Sequence, residues 1–476
     1  MIVMKFGGTS VGDAGLIANV AGIVREHHQR GESIVVVASA LATVTSSIIQ
    51  AARLAARGDL GGAREVTSLL RDRHYAAASA LLKDGQRDEF EAYTERRLDE
   101  LERHCESYAV LGEVTVRSLD QVVGIGESLS VRLLAGALQR QAVSAQPIDA
   151  TELVVTDDAF GNARPLTDVT RRKTRSRILP LVEAGCIPVV TGYIAATEHG
   201  HPTTLGRGGG DYSAAIIGAC LDATEVWVWT DVDGILTADP ALVPQSRTLE
   251  ALSYAEAAEL AYLGADVLHP KTIGPVEEHG IPLRIRNSFR PSHPGTLVGD
   301  KPGAQRRTVP AIISTKGLCL VAVQGNGDAW TPLISARTLT RLAEAAIDVL
   351  MFTQSFTERT LSLVVRQSDV DPCLRTLRRE FEHELNQARL SAVSARGHVA
   401  TVSVVGAPGT PGATVVPQAF RALGSHGLQV RCVAQAFSEY NVSFVVSESD
   451  MPRTVRVLHR ELGLDQLPPD TQRAKA

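Results

Sequence analysis

The chain has 476 residues, too many for one ordinary core, so two or three domains are expected. With 48 Lys+Arg against 53 Asp+Glu the formal net charge is −5, which argues against a general nucleic-acid binder, and 4% aromatic residues give little surface for stacking bases. No uninterrupted run of about 18 apolar residues is present, so no membrane span is expected.

Met1-Ile2-Val3-Met4-Lys5 reads as a strand rather than a signal peptide, and a cytoplasmic protein is expected. Ile2 to Phe6 is a short buried strand that runs into Gly7-Gly8-Thr9-Ser10, and a helical pattern follows from Leu16 to His28. Strand, glycine loop and helix together make an anion-binding arrangement. Lys5 stands at the strand's end, where a buried ammonium needs a partner, and phosphate fits. Ile34 to Ala38 is a second apolar strand, followed by Ser39, Ala40 and Thr43-Val44-Thr45-Ser46. Hydroxyls there serve either as helix N-caps or as substrate contacts. From about Gln50 to Ser118 the chain is mostly helical, with Phe90, Tyr93, Leu98, Leu101, Cys105 and Tyr108 at near-helical spacing. This reads as an amphipathic helix pair packed on the sheet, with no chemistry of its own. Gly124-Ile125-Gly126-Glu127-Ser128 opens another helix, where Glu127 either complements the dipole or binds a ligand amine.

Ala142 to Ala150 and Ile187 to Ile194 are further strands, separated by the turn-rich Asp157 to Ala163. Alternating strands and helices predict an α/β fold around a mostly parallel sheet covered on both faces. Thr203-Thr204-Leu205-Gly206-Arg207-Gly208-Gly209-Gly210-Asp211 precedes the apolar run Ile216 to Leu221. Two readings stand here. One is an anion site, with glycine N–H groups at a helix start and Arg207 gripping a carboxylate or phosphate. The other is a flexible loop before a core helix. The strand Glu225 to Trp229 ends in Thr230-Asp231-Val232-Asp233-Gly234, which reads as nucleotide or metal contacts, or as an Asp-rich turn. A helix from Tyr254 to Leu263 and a final strand from Pro282 to Asn287 complete this domain. The six cysteines are far apart with no CxxC pair, and they are expected as buried free thiols rather than a zinc site.

Pro291, Pro294, Pro302 and Pro310 mark a boundary near Ser292 to Ala311. Two similar units follow. Thr353-Gln354-Ser355-Phe356-Thr357-Glu358 before Thr360 matches Ala434-Gln435-Ala436-Phe437-Ser438-Glu439 before Asn441, each set among strands and helices of βαββαβ type.

Taken together, Lys5-Phe6-Gly7-Gly8-Thr9-Ser10, Ser39-Ala40 with Thr45, Gly126-Glu127, Thr204-Leu205-Gly206-Arg207-Gly208-Gly209 and Trp229-Thr230-Asp231-Val232-Asp233-Gly234 resemble aspartate kinase, and the tail resembles its tandem ACT domains. The resemblance runs in order along nearly the whole chain. It implies an amino-acid-kinase domain over 1–298, with ferredoxin-like ACT domains over 311–390 and 397–466. It also implies phosphoryl transfer from ATP with Mg²⁺ to the β-carboxylate of L-aspartate, as a feedback-regulated first step toward lysine, threonine or methionine. A carboxylate is already a nucleophile, so positioning and charge neutralisation carry such a reaction.

On that resemblance Lys5 meets the transferring phosphoryl oxygens and Asp211 orients Lys5. Gly7, Gly8, Gly208 and Gly209 offer N–H groups to phosphates, while Thr230, Asp231 and Asp233 line the nucleotide. Arg207 holds a substrate carboxylate, Glu127 its ammonium, and Ser39 and Thr45 add hydroxyls. No protein cage for the metal is expected, since Mg²⁺ binds mainly through ATP oxygens. Gln354, Thr360, Gln435 and Asn441 are placed near an effector pocket for lysine or threonine, with edge-strand residues satisfying backbone groups as the other reading of the two glutamines. A homodimer or larger homo-oligomer is expected.

Four positions depart from the family: Gly210 where serine is usual, Leu236 for tyrosine, Ala241 for arginine, and Asp266 for a nucleotide-binding lysine. Reversing a charge about 4 Å from a phosphate shifts that contact by roughly 8 kcal/mol at an effective dielectric of 20. Lys271 or Arg247 compensates, or Asp266 helps hold the metal; the sequence leaves these open. Gly210 removes a hydroxyl and opens space, which keeps a kinase for another small amino or carboxylic acid in view. The altered nucleotide residues keep a non-catalytic amino-acid sensor in view.

Overall fold

The computed structural model describes residues 1–264, 267–300, 309, 311–326, 331–406, 412–435 and 441–466. The chain divides into two compact units: Met1–Ile235, Glu250–Ala257 and Asp266–Gly303 in the first, and Leu236–Leu249, Ala258–Ala265 and Ala304–Ala476 in the second.

The first unit starts with β1 (Ile2–Phe6), α1 (Ala14–Gln29) and β2 (Ile34–Ala38). Asp13 caps α1 by accepting from the Leu16 N–H at 2.9 Å. A helical layer follows: α2 (Val44–Ala56), α3 (Leu60–Leu81), α4 (Asp84–Leu111), α5 (Val116–Asp120) and α6 (Ile125–Arg140). The long pair α3 and α4 buries Leu70, Ala77, Ala78 and Leu81 with Leu98, Leu101, Cys105 and Tyr108 in one core. The α4 residues recur three to four apart and those of α3 fall at a one- or two-turn spacing, which places them on one face of each helix. Val116–Arg140 is long and apolar enough to cross a bilayer, but 89% of its most apolar window is buried inside the protein. Its hydropathy belongs to a core helix.

The chain continues through β3 (Ala145–Ile148), β4 (Val155–Thr156), α7 (Thr167–Glu183), β5 (Ile187–Thr191), β6 (Ile194–Thr197), β7 (Pro202–Thr204), α8 (Gly209–Cys220), β8 (Glu225–Thr230), β9 (Ala251–Leu252), α9 (Tyr254–Tyr262), α10 (Ile273–Glu278), β10 (Leu283–Asn287) and β11 (Thr296–Val298). The main sheet has the order β3-β5-β2-β1-β8-β10-β11-β9, all parallel except β10 against β11. β11 extends the sheet beyond the strand expected to end it. Residues of β2 and β5 are buried throughout, as strands covered on both faces require. β1 lies between β2 and β8, so the chain leaves it in opposite directions. That is the crevice where parallel sheets bind ligands, outside the carboxyl ends of the strands. The six cysteines are unpaired; Cys186 is half-buried and the other five are buried.

The second unit takes in Leu236–Leu249, which lies within the span 1–298 that the resemblance implies for the kinase domain. Thr237 explains this. Its Oγ1 lies 3.0 Å from Nε2 of His459, and its carbonyl accepts from Ile312 N at 2.8 Å. Ala238 and Val243 join the core of the second repeat.

The repeats comprise β12 (Ala311–Gly325), α11 (Pro332–Glu344), β13 (Met351–Ser355), β14 (Thr360–Arg366), α12 (Val370–Glu380), α13 (Glu382–Asn386), β15 (Leu390–Val405), α14 (Gly412–Ser425), β16 (Cys432–Gln435), β17 (Asn441–Ser447) and α15 (Met451–Glu461). They share one sheet of order β13-β14-β12-β15-β17-β16. The long strands β12 and β15 each serve both repeats. Leu318–Gln324 of β12 pairs with β14, whereas Ala311–Thr315 pairs with Val405–Thr401 of β15. Ile312 packs with Ala400, Val402, Phe444 and Val455. The second repeat thus takes its fourth strand from ahead of the first, across the boundaries the sequence suggested.

Ile312, 1% exposed, is the test of that exchange. Ile312→Ala should destabilise the protein by about 2–5 kcal/mol. Hydrogen exchange should quicken in Ala400–Val404 and leave Leu361–Val365 unchanged. Equal loosening of both repeats would contradict the strand assignment.

Candidate active site

A cleft of about 590 Å³ opens at the carboxyl ends of the strands, lined by Lys5, Gly8, Ser39, Thr45, Glu127, Tyr193, Arg207 to Asp211 and their neighbours. Nine residues singled out from the sequence thereby meet in one place: Lys5, Gly8, Ser39, Thr45, Glu127, Arg207, Gly208, Gly209 and Asp211.

Lys5 Nζ lies 2.5 Å from Asp211 Oδ1, and the two side chains are only 12% and 14% exposed. Asp211 stands in the first turn of α8, where a carboxylate complements the helix dipole. Gly7 sits beneath this pair: a Cβ there would lie 3.1 Å from Lys5 Nζ. Gly208 precedes α8 with φ +72°, and a Cβ would fall 2.2 Å from Cβ of His269, so glycine is required. The Gly209 N–H is already used, donating to the Gly206 carbonyl at 3.0 Å. Gly210 and Asp211 lie in the first turn, where N–H groups have no partner within the helix.

Gly210 does not open space, contrary to the expectation from its missing side chain. A Cβ there would lie 3.1 Å from Ser39 Oγ and 3.3 Å from Lys5 Cε. A side chain there fits only if Ser39 or Lys5 gives by a few tenths of an ångström.

Glu127 is 3% exposed on the first turn of α6, and burial pushes its carboxyl up to about 7. The backbone amides of Glu127 and Ala40 and the Thr45 hydroxyl offset that only in part, and Asp149 adds repulsion. Thr45 Oγ1 lies 3.4 Å from Oε1, while Oε2 has no hydrogen-bond partner among the described residues. A buried acid with an unused oxygen is poised to receive a cation. Arg207 is exposed on the lining of the same cleft.

Thr230, Asp231 and Asp233 stand at and beyond the end of β8, outside the cleft's lining. Thr230 Oγ1 donates to Asp231 Oδ1 at 3.1 Å. Asp233 is committed elsewhere: Oδ1 accepts from Asn287 Nδ2 at 2.9 Å and Oδ2 pairs with Arg290. It fixes this loop to the end of β10 rather than presenting a free carboxylate. Lys271 Nζ bonds Asn162 and, at 3.1 Å, the Leu205 carbonyl, and Arg247 bonds the Asp465 carbonyl at 3.0 Å. Both are hydrogen-bonded to neutral oxygens. Leu236 pairs with Thr248 in an isolated bridge, and the Ala241 N–H donates to Asp239 at 2.8 Å. Asp266 lies outside the described residues.

Sequence reasoning missed four supports. Tyr193 lines the cleft with φ +71°, a conformation unusual for a bulky residue, and its N–H donates to Ser213 Oγ at 2.9 Å. Gly192 before it was the only local hint. Buried Asp120 accepts from Thr204 Oγ1 at 2.8 Å and Gly161 N at 2.7 Å, anchoring the approach to Gly206 and Arg207. Ser288 lies 2.9 Å from Ser10 Oγ and donates to the Thr230 carbonyl at 3.1 Å, tying the first glycine loop to β8. His269 supports Gly208. Beyond Gly192, none of these four partnerships has a local sequence signal.

In the second unit, Gln354 Oε1 accepts from Ser335 Oγ at 3.0 Å and its Nε2 is buried without a partner among the described residues. Asn441 Oδ1 accepts from Gly406 N at 3.0 Å, and its Nδ2 is likewise unpartnered. Thr360 Oγ1 donates to the Glu358 carbonyl at 3.1 Å, and Gln435 is exposed at the end of β16.

Among the described residues, no group of three or more His, Cys, Asp or Glu is arranged to hold a metal ion.

The amino acid kinase family matches residues 1–287 and the ACT domain matches 321–381 and 402–462. A bifunctional aspartokinase/homoserine dehydrogenase 1 of Zea mays is 33% identical over 98% of this chain, and the chain spans about half the length of that relative, 50%. Aspartokinase 1 of Arabidopsis thaliana is 30% identical over 96% of this chain and 79% of its own length. Escherichia coli aspartokinase III, solved with aspartate and ADP, superposes with a TM-score of 0.81 at 28% identity, over 97% of this chain and 99% of that one. Its lysine- and aspartate-bound form gives 0.80, also at 28% identity, with the same coverage of both chains. By sequence across both units and by fold, the chain belongs to the aspartokinase family.

Proposed function

We propose that the chain phosphorylates the β-carboxylate of L-aspartate with ATP, giving 4-phospho-L-aspartate and ADP. One observation carries this reading. A single cleft sets the Lys5–Asp211 pair, at a helix N-terminus, beside a buried Glu127 with an unused oxygen and an exposed Arg207. That combination suits an amino acid held at both ends next to a transferring phosphate.

In this reading Glu127 receives the substrate ammonium, Arg207 its α-carboxylate, and Ser39 and Thr45 add hydroxyls. A β-carboxylate oxygen attacks the γ-phosphorus, the bond to the β,γ-bridging oxygen breaks, and ADP departs. No proton needs to be removed from the nucleophile. Lys5 neutralises charge on the phosphoryl oxygens, and the N–H groups of Gly7, Gly8, Gly210 and Asp211 face them at the two loops. Asp211 directs the Lys5 ammonium through their ion pair. Mg²⁺ bound with ATP would supply further charge neutralisation there, with Asp211 the carboxylate beside the second glycine turn. Thr230 and Asp231 remain the nucleotide-side residues of this proposal. The division into a kinase domain over 1–298 and ACT domains over 311–390 and 397–466 stays part of it, with Ala311–Thr315 completing the latter.

The unpartnered amides of Gln354 and Asn441 favour an amino-acid effector, lysine or threonine, at the repeats. Leu333, Phe352 and Phe356 are exposed on the first repeat and suit a contact between copies in a homo-oligomer. A cytoplasmic location fits a reaction that draws on ATP.

Hydroxylamine trapping tests the reaction. Hydroxamate should form only with protein, Mg-ATP and L-aspartate together, and Lys5→Ala or Asp211→Asn should lower its rate by about 10²–10³-fold. Unchanged turnover in Lys5→Ala would contradict the assignment.

The pH profile tests Glu127. Between the ordinary carboxyl value of 4.5 and about 7 the folded protein keeps a proton that the unfolded chain has lost. This group's contribution to stability therefore falls as pH rises through that window. The free site pairs an ammonium only once Glu127 ionises, so kcat/KM for aspartate should rise with pH and level off above about 7. The kcat limb should lie at lower pH, because bound ammonium favours the carboxylate. Glu127→Gln should raise KM and abolish the limb; a flat profile in the native protein would contradict this role.

A further inference from the structure

The helical hairpin of α3 and α4, read from sequence as packing alone, reaches two of the loops that build the cleft. Arg73 of α3 donates through Nη1 to the Ala42 carbonyl at 2.6 Å and to Thr43 Oγ1 at 3.0 Å. Its Nη2 donates to the Gly12 carbonyl at 2.7 Å. Gly12 ends the segment that carries Lys5, Gly7 and Gly8, whereas Ala42 and Thr43 lie between Ser39 and Thr45.

The same two loops touch directly. A Cβ on Gly12 would lie 3.3 Å from the Gly8 carbonyl oxygen and 3.4 Å from Ala42 Cβ, and one on Gly8 would lie 3.4 Å from the Ala40 carbonyl oxygen. Thr43 has φ +68°, a costly conformation for a β-branched residue, at the entrance to α2. Such a conformation persists when its surroundings over-determine it, and Arg73 bonds its side chain and the carbonyl before it. A planar guanidinium can fork to three acceptors in fixed directions, which a single ammonium cannot reproduce.

We infer that Arg73 is a positioning residue for phosphoryl transfer: it holds the phosphate-side loop against the substrate-side loop and so sets the approach of carboxylate to phosphorus. This inference rests on the aspartate-kinase reading. Arg73 is not part of the cleft's lining, so its loss should disturb the transfer geometry more than the binding of either substrate.

The test compares Arg73→Met, Arg73→Lys and Arg71→Met. Arg71, two residues away, pairs with Glu95 of α4 at 2.9 Å and touches neither loop, so it reports loss of hairpin stability alone. Arg73→Met should lower kcat by about 10²-fold and leave both KM values within about threefold. Guanidinium at non-denaturing concentration should restore part of that loss, Arg73→Lys should retain intermediate turnover, and Arg71→Met should stay near native. Hydrogen exchange over residues 7–12 and 40–45 should quicken in Arg73→Met whatever the activity. Native turnover in Arg73→Met, a loss equalled by Arg71→Met, or unchanged exchange in both loops would overturn the inference. A native protein inert toward aspartate, whose loops nonetheless loosen in Arg73→Met, would retire the substrate assignment and leave the positioning role standing.

Discussion

The ion pair between Lys5 and Asp211 is the constraint around which the first unit is arranged. An ammonium at the end of a buried strand is costly without a partner. Asp211 supplies one from the start of α8, 206 positions away in the chain and 2.5 Å away in space. That proximity requires β1 to run parallel to β8, with α8 lying between the strand that precedes it and the one that follows. It also requires α8 to start close to β1, which the αL turn at Gly208 and the side-chain-free Gly210 permit. In the proposed reaction Lys5 would offer its ammonium to the phosphoryl oxygens from this pair.

Around that pair the carboxyl ends of the strands divide the work. The loop after β1 offers glycine N–H groups, the loop after β2 offers hydroxyls, and α6 contributes a buried acid. The turn before α8 contributes Arg207. Rigidity comes from residues that touch no ligand in this account. Ser288 ties the β1 loop to β8, Asp120 ties the Thr204 segment to Gly161, and Arg73 ties the β1 loop to the β2 loop. The second unit follows another rule: its two repeats exchange halves of the long strands β12 and β15, so each repeat is completed by residues from the other's stretch of chain.

The parts legible in the sequence were those whose physics is local. Lys5 before Gly7 and Gly8, and Arg207 and Asp211 around three glycines, announce anion chemistry from neighbours a few positions apart. Apolar runs announced the parallel strands, and near-helical spacing announced α4. What stayed hidden depends on distant partners. Asp233 reads as a ligand carboxylate until Asn287 and Arg290 occupy it. Gly210 reads as added space until Ser39 and Lys5 fill it. Tyr193 carries no motif, and Arg73 looks like any polar position on an amphipathic helix. The exchange of Ala311–Thr315 into the second repeat is invisible to repeat matching, because a borrowed strand lies outside the repeat that uses it.

The central claim is that an aspartate carboxylate is the nucleophile at the Lys5–Asp211 end of the cleft. Its most direct test uses L-aspartate labelled with ¹⁸O in the β-carboxylate, Mg-ATP and hydroxylamine, with the released phosphate read by ³¹P NMR. Attack by the carboxylate puts a labelled oxygen in the C–O–P bridge, and hydroxylamine then cleaves at carbon. The account predicts one ¹⁸O in each phosphate released. Unlabelled phosphate, at a rate that does not depend on aspartate, would mean that water accepts the phosphoryl group and would contradict it.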